Sequence, residues 1–240
     1  MKATGFFGKT YALTVKDLRI EMRAKETLPP MLAFAVIVSL LLAFTLPAVP
    51  APVSPARLPV GAVEAADVLA GFIWVTILFA GLIGFARTFE FERREAALDS
   101  MLLAPLDRSG LFMAKALANL VFIVAVEVFV FAAFFIFFSL EISNASLLFT
   151  IALLADIGFI SVGTLFAALA AQTRSRELIL PILALPALVP VFIAAVTLTA
   201  DLIAGVPVSA VAGRGWFGIL IAYDVIMTTI AALAFEAAVE

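Results

Sequence analysis

Three acidic residues lie inside long apolar runs of this 240-residue chain: Glu127, Asp156 and Asp224. A carboxylate surrounded by hydrocarbon is costly, so such a group usually faces a bundle interior, is neutralised, or takes part in function. The chemistry open to these residues is proton binding or an interhelical hydrogen bond. We expect protonated, hydrogen-bonding roles at least as much as a role in transport, because the predicted spans contain no Lys or Arg except Arg87 at the end of the second.

Other reactive groups are scarce. The chain has no Cys and no His, which excludes disulfides and thiolate metal sites and removes the commonest metal and haem ligand. We therefore predict no metal site, no catalytic residue and no cofactor bound by this chain alone.

One apparent nucleotide motif is rejected. Residues 5–10 read GFFGKT, which ends like a P-loop. The genuine signature needs four residues between its glycines and a preceding buried strand. This segment has two residues there and nothing suitable upstream, so we expect any nucleotide to be bound by another chain.

The elements that hold the acids are predicted from composition. The chain is 65% hydrophobic, with a mean hydropathy of +1.20, and a span needs roughly 20 apolar residues. We predict an all-α integral membrane protein with one transmembrane domain over residues 1–240. Its six spans lie near 31–49, 67–88, 116–138, 147–171, 178–200 and 216–238.

The positive charges predict the orientation. Thirteen of the fifteen Lys and Arg residues fall before the first span, between the second and third, or between the fourth and fifth. Only Arg57 and Arg214 fall in the alternate loops. Because short positive loops stay on the cytoplasmic side, both termini are predicted to be cytoplasmic.

Two segments outside the spans have amphipathic character. Residues 4–26 are predicted to form a helix lying on the membrane, with apolar residues at helical spacing beside a basic stripe. The loop 89–115 contains a predicted two-turn helix with Leu98, Met101 and Leu102 on one face, ended with the help of Pro105. We predict that this loop docks onto a partner protein; the alternative is a membrane-surface turn.

The spans carry two further predictions. Pro181, Pro186 and Pro190 all fall in the fifth span, and each removes a backbone donor, so this helix is expected to be kinked or interrupted. Trp74 and Trp216 are placed near outer ends of spans and are expected to anchor the protein at the interface.

Four segments together carry a family resemblance: KDLRIEMRAKE (16–26), the Trp-led 73–98, MLLAPLDRSGLFMAK (101–115) and LPILALPALVPVFI (180–193). In the loop, a Phe-x-x-Asp-x-x-Asp-Gly-Ser-Leu pattern is matched by Phe89, Glu92, Glu95 and Leu98, with Glu for both Asp and Ala96-Ala97 for Gly-Ser. In the fifth span a Leu-Pro-x-x-x-Pro pattern is matched by Leu185, Pro186 and Pro190. Over nearly its whole length the chain resembles the CcmB family, the permease subunit of the cytochrome c maturation system.

The resemblance implies an ABC-2 (type V exporter-like) permease in the bacterial inner membrane, with haem as the handled group. Its interfacial helix and the loop after the second span would contact a separate ATPase, the docking residues being Phe89, Glu92, Glu95, Leu98, Met101, Leu102 and Pro105. The implied partners are a CcmA-like ATPase, a CcmC-like haem-handling protein, a small CcmD-like adaptor and a CcmE-like haem chaperone. The complex would export or deliver haem, or use ATP to release the loaded chaperone; the lack of His agrees better with release.

Three alternatives remain open from the sequence. The chain could be an ABC-2 permease that exports a lipid, drug or polymer. It could be a membrane scaffold without transport activity, although a charged docking loop is unexpected there. A proton-coupled secondary transporter could use the three acids, but such proteins usually show an internal repeat.

Overall fold

The computed structural model describes residues 5–46, 60–89, 108–140, 142, 144–171 and 176–238. Within these ranges the chain forms eight helices and no strand, as predicted for the all-α class. The helices are α1 (Phe6–Ala24), α2 (Leu28–Thr45), α3 (Val60–Arg87), α4 (Arg108–Phe138), α5 (Ala145–Ala171), α6 (Arg176–Ile203), α7 (Val208–Gly213) and α8 (Trp216–Ala238).

Six of these helices are long and apolar enough to cross a membrane, which agrees with the predicted number of spans. Their spanning parts are Leu28–Thr45, Ala65–Arg87, Ser109–Phe138, Ala145–Ala171, Ile179–Ile203 and Trp216–Phe235. The third span begins several residues earlier than predicted. Lys115, which the sequence analysis assigned to the docking loop, therefore lies inside this helix.

Helix α5 is at the centre of the bundle, packed between α8 and α6 and also against α4 and α3. Small residues let its neighbours approach closely: the Phe85 ring lies directly over Gly163, and the Phe159 ring over Gly81. The two rings meet edge to face with their centroids 5.1 Å apart. Small residues at helix crossings are the usual means of tight packing between membrane helices.

Trp74 does not anchor the protein at the membrane interface, so that prediction is wrong. Its side chain is 1% exposed, and its Nε1 donates to Thr199 Oγ1 at 2.9 Å. The ring packs edge to face against Phe131 and Phe192. A Trp near a span end can face either lipid or protein, and here a buried partner for its N–H favours the interior. Trp216, half-buried at the first residue of α8, stays a predicted anchor.

Helix α6 is not interrupted by its three prolines, because it runs as one helix from Arg176 to Ile203. Pro186 and Pro190 are exposed on its outer face. Between them, the carbonyl of Ala187 accepts a hydrogen bond from the Tyr223 hydroxyl at 2.6 Å, which ties α8 to this stretch. The alternative that the prolines only bend the helix stays a prediction.

Candidate functional site

The N-terminal helix α1 turns its polar stripe towards the bundle and its aromatic stripe away from it. Thr10 and Thr14 are buried, whereas Phe7 and Met22 are 85% and 76% exposed and Tyr11 is also exposed. The Thr14 hydroxyl lies 3.3 Å from the carbonyl oxygen of Ala114 on α4. An outward apolar face on a helix packed against a span is compatible with the predicted interfacial helix.

A carboxylate on α1 caps the first span. The oxygens of Glu21 accept hydrogen bonds from the backbone N–H groups of Thr27, at 2.9 and 3.0 Å, and of Leu28, at 2.8 Å. The first N–H groups of a helix have no partner within it, and a negative charge is favourable at that end. The corner between α1 and α2 is therefore held by the side chain of Glu21.

A buried lysine joins three elements at the same end of the bundle. Lys115 Nζ lies 2.9 Å from Asp17 Oδ2 on α1 and donates to the carbonyl of Thr88, just after α3, at 3.2 Å. It also lies 5.3 Å from the centroid of the Phe89 ring. We call Lys115, Asp17, Thr88 and Phe89 the Lys115 cluster. The sequence analysis missed it, although a lysine shortly before an apolar run was a visible signal.

Neutral polar groups extend this cluster into the bundle. The Thr88 hydroxyl donates to Asn119 Oδ1 at 3.1 Å, and Asn119 Nδ2 donates to Thr164 Oγ1 on α5 at 3.1 Å. Asn119 is one turn beyond Lys115 on the same face of α4. A chain of hydrogen bonds therefore runs from the end of α3, through α4, to α5.

Two of the three predicted acids meet in the middle of the bundle. Glu127 on α4 and Asp156 on α5 are both buried, and their carboxyl groups lie close enough to interact. Among the described residues, Glu127 Oε1 and Asp156 Oδ1 have no hydrogen-bond partner. A hydrogen bond between two carboxyl groups needs a proton on one of them. We call these two residues the acid pair. This proximity permits the hydrogen-bonding role expected from the sequence; that role and a role in transport both stay hypotheses.

The third acid stands apart from this pair. Asp224 is buried on α8 and lies against Gly158 of α5, where an added Cβ would come within 2.7 Å of its Oδ1. Gly158 is two residues from Asp156, which places the two contacts about 200° apart around α5. The three acids therefore do not converge, and the described residues include no acid cluster that could hold a metal ion.

The acid pair is also separated from the Lys115 cluster. Asn119, Ile123 and Glu127 follow each other at four-residue spacing along one face of α4. The middle residue, Ile123, is buried and apolar. Because an aliphatic side chain can neither accept nor donate a hydrogen bond, the chain of hydrogen bonds does not continue along this face of α4 from Asn119 to Glu127 in the part of the protein that the structure describes.

An apolar groove of about 550 Å³ opens beside α6. Leu78 of α3 forms one wall, while Pro186, Val189 and Phe192 are among the α6 residues that form the rest. Towards the other end of α6 from its prolines, Asp201 pairs with Arg214 at 3.0 Å; this ion pair was not predicted.

The predicted docking residues are only partly visible. Phe89 is buried, with its ring centroid 6.3 Å from that of Phe235, so its contribution to docking would be to hold the start of the loop. The other predicted residues, Glu92, Glu95, Leu98, Met101, Leu102 and Pro105, lie outside the described residues.

Comparison with known proteins identifies one relationship. A protein-family model described as "CcmB protein" matches residues 9–240. No curated protein matches the chain.

Proposed function

The chain belongs to the CcmB family, and on this premise we propose that it is the permease subunit of an ABC-type complex for cytochrome c maturation. The family is the membrane component of the haem exporter in that pathway, and the six apolar helices make this chain a multi-pass inner-membrane protein. The observation that carries the proposal is the family match over nearly the whole chain, on a bundle with the expected number of spans.

The work of this subunit is mechanical, and ATP hydrolysis takes place in a separate CcmA-like ATPase. Closure of that ATPase pushes on the docking loop 89–115, and the spans tilt as rigid bodies. The further partners are CcmC-like, CcmD-like and CcmE-like proteins. Both termini lie in the cytoplasm, which is supported by the charge distribution and by the outward apolar face of α1 beside the end of the bundle that holds Lys115.

Haem is the handled substrate, and we favour ATP-driven release of the haem-loaded chaperone over passage of haem through these helices. The chain contains no His and no Cys, so Met and Tyr are the remaining usual axial ligand types. The hydroxyl of Tyr223 already donates to a backbone carbonyl. Release needs movement of the spans but no ligand for iron within them.

Haem staining of c-type cytochromes tests the assignment. In a strain that lacks this chain, all covalently bound haem signals should disappear, and a plasmid copy should restore them. Normal staining in the deletion strain would overturn the role in cytochrome maturation. It would direct attention to export of another substrate such as a lipid, drug or polymer, for which the apolar groove beside α6 is the favourable observation.

The docking assignment has its own test. Leu102→Asp places a charge on the predicted apolar face and should abolish co-purification with the ATPase, while the protein still inserts into the membrane. The control is Val208→Asp on α7, an exposed position between the last two spans, which should retain the ATPase. Normal co-purification of the Leu102 variant would refute the docking role of that face.

A further inference from the structure

We propose that Lys115 is the positioning residue that joins the entry of the docking loop to helix α1, so that both move as one unit when the ATPase pushes on the loop. This inference rests on the proposed function, because it assumes that an ATPase engages the loop. It adds to that function the residue that transmits the movement of the docking loop to helix α1.

The ammonium group of Lys115 contacts several structural elements at once. A lysine carries three N–H donors on a single nitrogen. From its position on α4, Lys115 pairs with the carboxylate of Asp17 on α1, at 2.9 Å. It also donates a hydrogen bond to the carbonyl of Thr88 after α3, at 3.2 Å. That carbonyl lies at the C-terminal end of α3, where carbonyl oxygens lack helical partners. The chain enters the docking loop at the next residue, Phe89, whose ring faces the same nitrogen.

The neighbouring contacts hold α1 and the end of α3 separately to α4. Helix α1 packs along α4, with Thr14 near the Ala114 carbonyl and Gly110 leaving room for Phe6. These contacts hold α1 to α4 but do not involve α3. The end of α3 is linked to α4 and α5 by the hydroxyl of Thr88 through Asn119. Lys115 is where the two sets of contacts meet.

The ion pair of Lys115 is also shielded from water. Lys115 is 3% exposed, and an ion pair shielded from water holds its geometry more firmly than an exposed one. Lys16 offers a comparison within the same cluster. It lies 3.2 Å from the same carboxylate of Asp17, but 37% of its side chain is exposed. A surface contact of that kind orders its partners only weakly.

The experiment uses the absence of cysteine in the natural chain. Ala12→Cys introduces a single thiol at an exposed position of α1, to which an environment-sensitive fluorophore is attached. The labelled protein is purified with its ATPase, and the fluorescence change on adding a non-hydrolysable ATP analogue is recorded. The comparison is between the otherwise unaltered chain, Lys115→Met, and the matched control Lys16→Met.

We expect Lys115→Met to retain the ATPase but to lose the fluorescence response by at least about fivefold, the lower end of usual coupling between sites. Lys16→Met should respond like the unaltered chain. A full response in Lys115→Met, or no response in the unaltered complex, would overturn the inference. If Lys115→Met does not assemble, Asp17→Asn is judged by the same criterion, since it keeps the shape of the side chain and removes only its charge.

The same experiment distinguishes failure of the proposed function from failure of the role proposed for Lys115. Co-purification of the ATPase with the unaltered chain is checked before any variant is compared. Failure at that step would refute the proposed function itself. Retention of the ATPase with an undiminished α1 response in the variants would refute only the role of Lys115.

Discussion

Helix α4 carries two buried ionisable side chains, Lys115 and Glu127, whose partners differ in kind. The Lys115 cluster pairs a cation with a carboxylate from α1, whereas the acid pair places two groups of the same kind together, Glu127 with Asp156. The two sites are separated by twelve residues, about 18 Å along the helix axis. A carboxylate faces the ammonium group in the first site, whereas the two acids of the second site can share a hydrogen bond only when one of them is protonated.

Position in the bundle explains the difference. Lys115 lies beside the end of α3, where a carbonyl without a helical partner and the carboxylate of a neighbouring helix are both available. In the middle of a span the backbone groups are engaged within their own helices. The polar group available to Glu127 is therefore another side chain, the carboxyl of Asp156. Two sets of substitutions test this comparison and a third tests the packing of α5 against α8; they follow in descending order of expected effect.

Asp17→Leu should lower the free energy of unfolding in detergent by about 3 kcal/mol, because it removes the carboxylate that lies 2.9 Å from the buried ammonium of Lys115. Chemical unfolding of the purified protein measures the loss. The double variant Asp17→Leu with Lys115→Met removes both charges and should recover most of it. A double variant less stable than the single one would show that the cluster is not held by its ion pair.

Gly158→Ala should cost about 2 kcal/mol, since the new methyl group would crowd the Asp224 carboxylate and the Tyr223 ring. The matched control is Gly71→Ala on α3, which meets no atom within 4 Å and should be neutral or slightly stabilising. Equal stability of the two variants in the same unfolding assay would contradict the close contact between α8 and α5.

Glu127→Gln should cost less than about 1 kcal/mol, because its amide can donate to Asp156 in place of the shared proton. Glu127→Leu leaves the Asp156 carboxyl without this partner and should cost about 2 kcal/mol. Thermal unfolding of both variants provides the measurement. A loss for Glu127→Gln as large as that for Asp17→Leu would show that the acid pair carries a charge balanced by a cation.

Much of the fold could be predicted from sequence because the hydrocarbon core of a membrane offers no water for backbone hydrogen bonds. Each span must satisfy its own hydrogen bonds, so the number of long apolar runs predicts the number of spanning helices. The apolar stripe of α1 was likewise predicted from residue spacing, and the structure turns Phe7, Tyr11 and Met22 outward, while Val15 and Leu18 are half-buried.

Side-chain contacts between helices could not be predicted, because lipid and bundle interior are both apolar. Nothing in the sequence around Trp74 distinguishes a ring that faces headgroups from one that donates to Thr199 on α6. The pairing of Glu127 with Asp156 likewise depends on how α4 and α5 are rotated about their axes. The Lys115 cluster was missed for another reason: the third span was started too late, so its lysine was counted with the loop.

The cap that Glu21 places on α2 also bears on the order in which contacts form while the chain is being synthesised. Its partners, Thr27 and Leu28, are six and seven residues further along the chain, so this corner can form while the first span is leaving the ribosome. The contact between Asp17 and Lys115 must wait until almost a hundred more residues have been synthesised. Since local contacts form before distant ones, α1 should settle against the nascent first span early, and its attachment to α4 should be a late step in assembly.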